Sequence, residues 1–202
     1  MRRLAFLAVL HAFVAAGAGC ASPRSNFYAL GPAQNPSATG AAYSVAVGPV
    51  SVPAAVDRPQ IVVRTGPHQV AIDEFNRWAA PLPDAIAGAV AGNLAAMLGT
   101  PHVTVFPQPT SAGARYRAII DVRVFDSEPG KMATLDAVWT VRGAKEGVAR
   151  SGRTAVSEAV GDTGYPALVA AHNRALGRLS GELAEAIRAM EQAGNPVGRE
   201  SR

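Results

Sequence analysis

Two short apolar runs, Ile61-Val62-Val63 and Val70-Ala71-Ile72, flank Thr65-Gly66-Pro67-His68. Glycine allows positive φ and proline presets φ, so the tetrapeptide predicts a tight turn and its flanks a hairpin, with the second strand running from Gln69 to about Phe75. Upstream, Tyr43, Val45 and Val47 alternate with Ser44, Ala46 and Gly48, a first core strand ended by Pro53. Downstream, Pro81-Leu82-Pro83-Asp84 opens a helix, because proline is tolerated in a first turn and an acid there suits the macrodipole. Ile86, Val90, Leu94, Met97 and Leu98 form its apolar stripe, and Gly99-Thr100-Pro101 ends it. Gly88 and Gly92 inside this helix each cost about 1 kcal/mol relative to alanine, which close packing against a sheet would offset.

A short strand at His102–Phe106 precedes a three-stranded meander. Its first strand, Arg115 to Asp126, puts Tyr116, Ala118, Ile120, Val122 and Val124 on one face and Arg117, Ile119, Asp121, Arg123 and Phe125 on the other. Met132 to Arg142 returns with Ala133, Leu135, Ala137, Trp139 and Val141 on one face. Val148 to Val156 follows, and Arg150 and Arg153 mark it as an edge strand. After a break at Gly161-Asp162-Thr163-Gly164, Tyr165 to about Gln192 carries Leu168, His172, Leu176, Leu179, Leu183, Ile187 and Met190 on one face of a long helix. The string predicts an α+β fold, a mostly antiparallel sheet with two helices packed on one face.

The N-terminus changes the picture from a free domain to an exported one. Met1-Arg2-Arg3 is basic, Leu4 to Ala16 is apolar apart from His11, and small residues Gly17-Ala18-Gly19 precede Cys20. This is the pattern of a secretory signal over residues 1–19, too short for a comfortable membrane span. Cys20 is the only cysteine in the chain, which excludes an intrachain disulfide and makes it the expected lipid acceptor. The segment resembles a bacterial lipobox, with Gly17 where leucine is usual. Ala21 and Ser22 after the cysteine, with no Asp, point to outer-membrane sorting. Residues 20–42, rich in Pro, Gly and small side chains, read as a tether spanning about 25 Å, interrupted by Phe27-Tyr28-Ala29-Leu30 as a short strand or docking segment. The folded domain is expected over 43–192 and a frayed tail over 193–202.

Charge adds little. The 19 basic residues become 17 once Arg2 and Arg3 are removed, against 15 acidic ones, a net charge of +2. The arginines are spread along the chain, without the basic stripe and interleaved aromatics of a nucleic-acid groove. Nucleophilic catalysis needs a nucleophile, base and orienting group together; Ser151-Gly152 and Ser180-Gly181 lack the flanking pattern of a nucleophile elbow. His68, His102 and His172 have no partner at metal-ligand spacing, and His172 reads as a hydrogen-bonded core or interface histidine. Asp121 and Asp136 are a candidate carboxylate pair across the meander, but solvation or pairing with Arg117 and Arg123 is the commoner fate. Arg64, Arg77 and Trp78 have two readings: a core tryptophan with solvated arginines, or a partner-binding hairpin.

Several of these stretches also resemble one family. Cys20 followed by Phe27-Tyr28-Ala29-Leu30 is similar to a Cys-x-F-Y-x-L opening. Val50 to Pro53 followed by Asp57-Arg58-Pro59-Gln60-Ile61-Val62-Val63-Arg64 resembles a VPxxxDRPQIVxR segment. Arg77-Trp78-Ala79-Ala80-Pro81-Leu82 resembles RWAxPL, Leu135-Asp136-Ala137-Val138-Trp139 resembles LxAxW, and the long C-terminal helix also fits. The family is that of the ABC-type transport auxiliary lipoproteins, the PqiC/YmbA-like group, and the resemblance covers nearly the whole mature chain. It implies a non-enzymatic outer-membrane lipoprotein facing the periplasm, with no cofactor beyond the covalent lipid on Cys20. The implied partner is an MCE-domain tube protein of an intermembrane lipid transporter, which a homo-oligomeric ring of this chain would receive. A periplasmic lipid-binding carrier, with a cavity between sheet and helices, is the alternative; a hydrolase is a third reading.

Overall fold

The computed structural model describes residues 23–32, 43–145 and 147–194; Cys20, the expected signal segment and the expected tail beyond Gly194 lie outside them. The elements in order are β1 (Asn26–Tyr28), β2 (Val45–Ser51), β3 (Gln60–Gly66), β4 (Gln69–Trp78), α1 (Leu82–Leu98), β5 (Val103–Val105), β6 (Tyr116–Glu128), β7 (Met132–Gly143), β8 (Ala149–Ala159) and α2 (Tyr165–Gly194). The strands form a small sheet, β1-β4-β3, and a larger one, β5-β2-β6-β7-β8. α1 packs on β2 and β5, α2 on β7 and β8, and the helices pack on each other. The α+β architecture is thus the expected one, with the sheets mixed rather than largely antiparallel. β2 runs parallel to both β5 and β6, and β1 parallel to β4. Parallel neighbours need a crossover, and the stretch containing α1 supplies it between β2 and β5. Successive residues of a strand point to opposite faces, so the burial of Val45, Ala46 and Val47 together means that β2 is covered on both sides.

The meander follows the predicted inward face on β7, where Ala133, Leu135, Ala137, Trp139 and Val141 are all buried. On β6 the alternation breaks. The β6–β7 register shifts between Val122 and Val124, and one extra residue in a strand turns every later side chain over. Phe125 and Ser127 therefore join Tyr116, Ala118, Ile120 and Val122 in the interior, whereas strict alternation put Phe125 outside with Arg123. Gly152 stands opposite Trp139 across β7 and β8. The indole lies over this position, and its N–H donates to Thr154 Oγ1 at 3.1 Å. The Thr154 hydroxyl donates in turn to Glu182 at 2.6 Å, which ties the edge strand to α2.

The segment Asn26–Pro32, inside the expected tether, lies on the body. Leu30 is buried, and the Gly31 N–H donates to Asn173 Oδ1 of α2 at 3.1 Å. Gly92 of α1 gives way to this segment rather than to a sheet: a Cβ there would meet Pro32 Cβ and Cγ at 2.9 Å. The expected packing reason does not extend to Gly88, where an added Cβ would meet nothing beyond its own helix within 4 Å among the described residues. A Cβ at Gly152 would lie 2.8 Å from Cε2 and Cη2 of Trp139. Overpacking of this kind costs about 1–3 kcal/mol, so Gly152→Ala should lower the melting temperature of the mature chain by about 3–10 °C, read by thermal denaturation.

Candidate docking surface

The small sheet carries all three residues singled out for partner binding, and one tryptophan holds it in place. Trp78, at the end of β4, is only 5% exposed. Its ring meets Phe125 of β6 edge-on at 6.1 Å and His172 of α2 at 6.3 Å. Phe125 and His172 are themselves stacked, with centroids 4.1 Å apart and planes 12° apart. The Trp78 backbone N–H donates to the Pro59 carbonyl at 2.7 Å, and the Ala79 N–H to the Tyr28 carbonyl at 2.8 Å. Trp78 is therefore a core residue, because the hairpin's inner face with Ile61 and Val63 is pressed onto β6 and the indole itself meets His172 of α2.

The arginines lie at the surface but are engaged. Arg64 forms an ion pair with Asp126 of β6 and also donates to the Pro67 carbonyl at 3.2 Å. Arg77 donates to the Glu74 carbonyl at 2.9 Å and sits 3.7 Å from the Glu74 carboxylate. Between them β4 bulges: Gln60 stands opposite Arg77 but Ile61 opposite Asp73, leaving Glu74, Phe75 and Asn76 outside the ladder. Asp73 organises this bulge by accepting the backbone N–H groups of Phe75 and Asn76, each at 2.9 Å, and the Asn76 amide at 3.0 Å. It also accepts the Tyr165 hydroxyl at 2.6 Å, joining the bulge to the start of α2. Partial burial alone would raise the Asp73 carboxyl, but these hydrogen bonds outweigh it and hold it below the usual carboxylate range. The outer face of the same sheet exposes Phe27, Val70, Ile72 and Phe75, a group that sequence reasoning missed because alternation in Val70-Ala71-Ile72 does not say which face finds a core.

The interior holds one arrangement resembling catalytic chemistry. His172 Nε2 lies 2.8 Å from Ser127 Oγ, a contact created by the β6 bulge and invisible in the spacing. His172 is fully buried, its Nδ1 has no hydrogen-bond partner among the described residues, and Ser127 is only 2% exposed. Among the described residues no acceptor meets Nδ1 to orient the ring, and both side chains are closed to solvent. Burial pushes the imidazole down to about 3. Asp121 and Asp136 do not face each other; they stand opposite Val138 and Val124. Asp136 is gripped by Arg153 at 2.8 and 2.7 Å, which lowers its carboxyl pKa, while Asp121 accepts the Ser51 hydroxyl at 2.7 Å. Among the described residues no group of three or more His, Cys, Asp or Glu side chains can hold a metal ion. A surface cleft of about 430 Å³ beside Arg115, Tyr116, Lys145, Val148 and Met190 is lined by a mixture of basic and apolar groups. No helix among the described residues is long and apolar enough to cross a membrane.

Comparison with known proteins gives a family-level match. The model of the ABC-type transport auxiliary lipoprotein component matches residues 28–184. No curated protein matches the sequence. A crystal structure of an uncharacterised protein is similar at a TM-score of 0.67 with 19% identity, over 82% of this chain and 99% of the other. Protein XCC0632 from Xanthomonas campestris, described under the family model DUF330, is similar at 0.62 with 21% identity, over 86% of this chain and 100% of the other. Both likenesses concern the fold. A PelC dodecamer from Paraburkholderia phytofirmans, at a TM-score of 0.40 and 14% identity over 72% of this chain and 92% of the other, is too distant to bear on assembly.

The buried histidine makes stability depend on pH. His172 stays neutral in the fold but titrates near 6.5 when unfolded, so its contribution is complete above about pH 6.5 and is lost progressively as pH falls toward 3. Between about pH 7.5 and pH 5 this costs about 2 kcal/mol. Denaturant titrations at the two pH values should show that loss, and His172→Leu should flatten it.

Proposed function

Because the chain belongs to the ABC-type transport auxiliary lipoprotein component family, we propose that it is a lipid-anchored docking subunit of an MCE-type intermembrane lipid transporter. In this reading the mature chain begins at Cys20, carries acyl chains there, sits at the periplasmic face of the outer membrane and catalyses no reaction. The family match over residues 28–184 carries the proposal. The charged N-terminus, apolar run and small residues before Cys20 support export and acylation. Two or more acyl chains make a stable anchor where one is marginal.

The MCE-domain partner would be received on an open sheet edge. β8 ends the order β5-β2-β6-β7-β8 and has a side that no strand among the described residues pairs, which supports contact by strand addition. Several copies around one tube would form a ring, each offering the same edge. Trp78, being buried, takes no part in that contact, and Arg64 serves the ion pair with Asp126.

Two measurements test this. Replacing Cys20→Ser should move the chain from the outer-membrane fraction to a soluble or unprocessed form, and the mass of the native N-terminus should correspond to acylated cysteine. A tagged native chain, extracted from envelopes in mild detergent, should bring down an MCE-domain protein. Repeated recovery of the chain without such a protein would sink the docking role, while an unmodified Cys20 would sink the anchor.

A further inference from the structure

The small sheet has two faces, and on the outer one the large apolar side chains find no core among the described residues. On that face Phe27 stands opposite Arg77, Ile72 opposite Val62 and Val70 opposite Arg64. Phe27 is 66% exposed, Val70 52%, Ile72 44% and, in the adjoining bulge, Phe75 40%. Outside this sheet only Met132 and Val148, both in or beside the large sheet, are comparably exposed among the described residues. Single exposed apolar residues are ordinary, but four gathered on one three-stranded sheet mark a contact surface.

The direction of the chain identifies what covers it. β1 runs parallel to β4, with Asn26 beside Asn76. The chain entering β1 therefore approaches from the same side as the residues that precede Asn76, namely Phe75, Ile72, Val70 and the β3–β4 turn. Cys20 precedes Asn26 by six residues, and Val70 precedes Asn76 by six. At about 3.4 Å per residue, each span is at most about 20 Å. An acyl group on Cys20 would thus reach the level of the hairpin tip and little further, at the end of the sheet that carries Val70 and Ile72.

We infer that the outer face of the β1-β4-β3 sheet rests on the lipid surface into which Cys20 is anchored. The hairpin leads, and Phe27, Val70 and Ile72 enter the boundary between headgroups and acyl chains. The inference rests on the acylated Cys20 of the proposed function. It turns the acyl group from a swivel into one of two attachment points, so that the body takes a fixed orientation on the membrane. The apolar character of the group makes the contact one with any fluid bilayer, with no specific headgroup required.

The test uses the native acylated chain in phosphatidylcholine vesicles. Acylation blocks the only natural thiol, so Ile72→Cys and, on the large-sheet side, Val148→Cys each introduce a single site for an environment-sensitive fluorophore. Thermal melts confirm that both labelled chains fold, and mass spectrometry of the same samples reports the acyl chains on Cys20. With lipids carrying a quencher on the acyl chain, the probe at position 72 should be quenched at least about twofold more than the probe at 148, because docked side chains sit about 5–10 Å below the headgroups. Equal or absent quenching at 72 overturns the inference. So does a blue shift at 72 that ignores the lipid quencher and disappears on dilution in the vesicle, which assigns the face to a second copy. A Cys20 without acyl chains is a separate failure, that of the anchor itself, and removes the inference with it.

Discussion

The contact among Trp78, Phe125 and His172 decides where the small sheet goes. A two-stranded hairpin is marginal in water, and a third strand of three residues adds little unless an apolar face finds cover. Ile61, Val63 and Trp78 supply that face, and Phe125 with His172 supply the cover from two different elements. Losing an aromatic side chain from such a site typically costs about 3–5 kcal/mol, a large share of the stability of a domain this size. His172 leaves Nδ1 without a hydrogen bond, a penalty of about 1–3 kcal/mol. Its ring lies flat on Phe125, a contact worth roughly 0.5–1.5 kcal/mol, and its other nitrogen is satisfied by Ser127. The ring fills the join among three layers, and its polar cost is only partly offset there.

That join depends on the β6 bulge, which explains what was legible in the sequence and what was not. The two helices, the hairpin and the meander are written in periodicity, and the β7 face and the α2 stripe, His172 included, read directly. Phe125 was misplaced because alternation has no symbol for an extra residue; Arg123 absorbs the slip, and everything after it changes face. An aromatic on a strand face otherwise made up of Arg117, Asp121 and Arg123 was the one local sign. The parallel pairs of β2 were equally hidden, since they depend on partners brought in across long connections. Gly92 looked like a helix defect awaiting a sheet, and its true neighbour, Pro32, comes from a segment that composition alone classed as tether.

The same local blindness affected Trp78, Arg64 and Arg77. Spacing left a core and a binding reading open for the group as a whole, and the structure divides it. The tryptophan is core, Arg64 fastens the hairpin to β6 through Asp126, and Arg77 steadies the bulge beside Glu74. What faces outward instead is the plain apolar set of Phe27, Val70, Ile72 and Phe75. Asn26–Pro32, inside the stretch of about 22 residues expected to be a loose tether, is attached to the body, and Cys20 precedes Asn26 by six positions.

The two open surfaces differ in chemistry, and that difference constrains how they can be used. The outer face of the small sheet exposes Phe27, Val70, Ile72 and Phe75, and Arg64 and Arg77 on it are engaged within the fold. The β8 edge is charged: Arg150 is exposed along it, and Arg153 reaches across to Asp136. Charges on an edge strand suppress indiscriminate pairing between copies, so a strand that adds to β8 must offset Arg150 with an acid or lose solvation there without return. An edge built this way favours a partner of matching charge over another copy of itself. On the outer face of the small sheet the two arginines are already paired, so its exposed apolar side chains have no comparable charge filter, which is why the lipid cover inferred for that face matters.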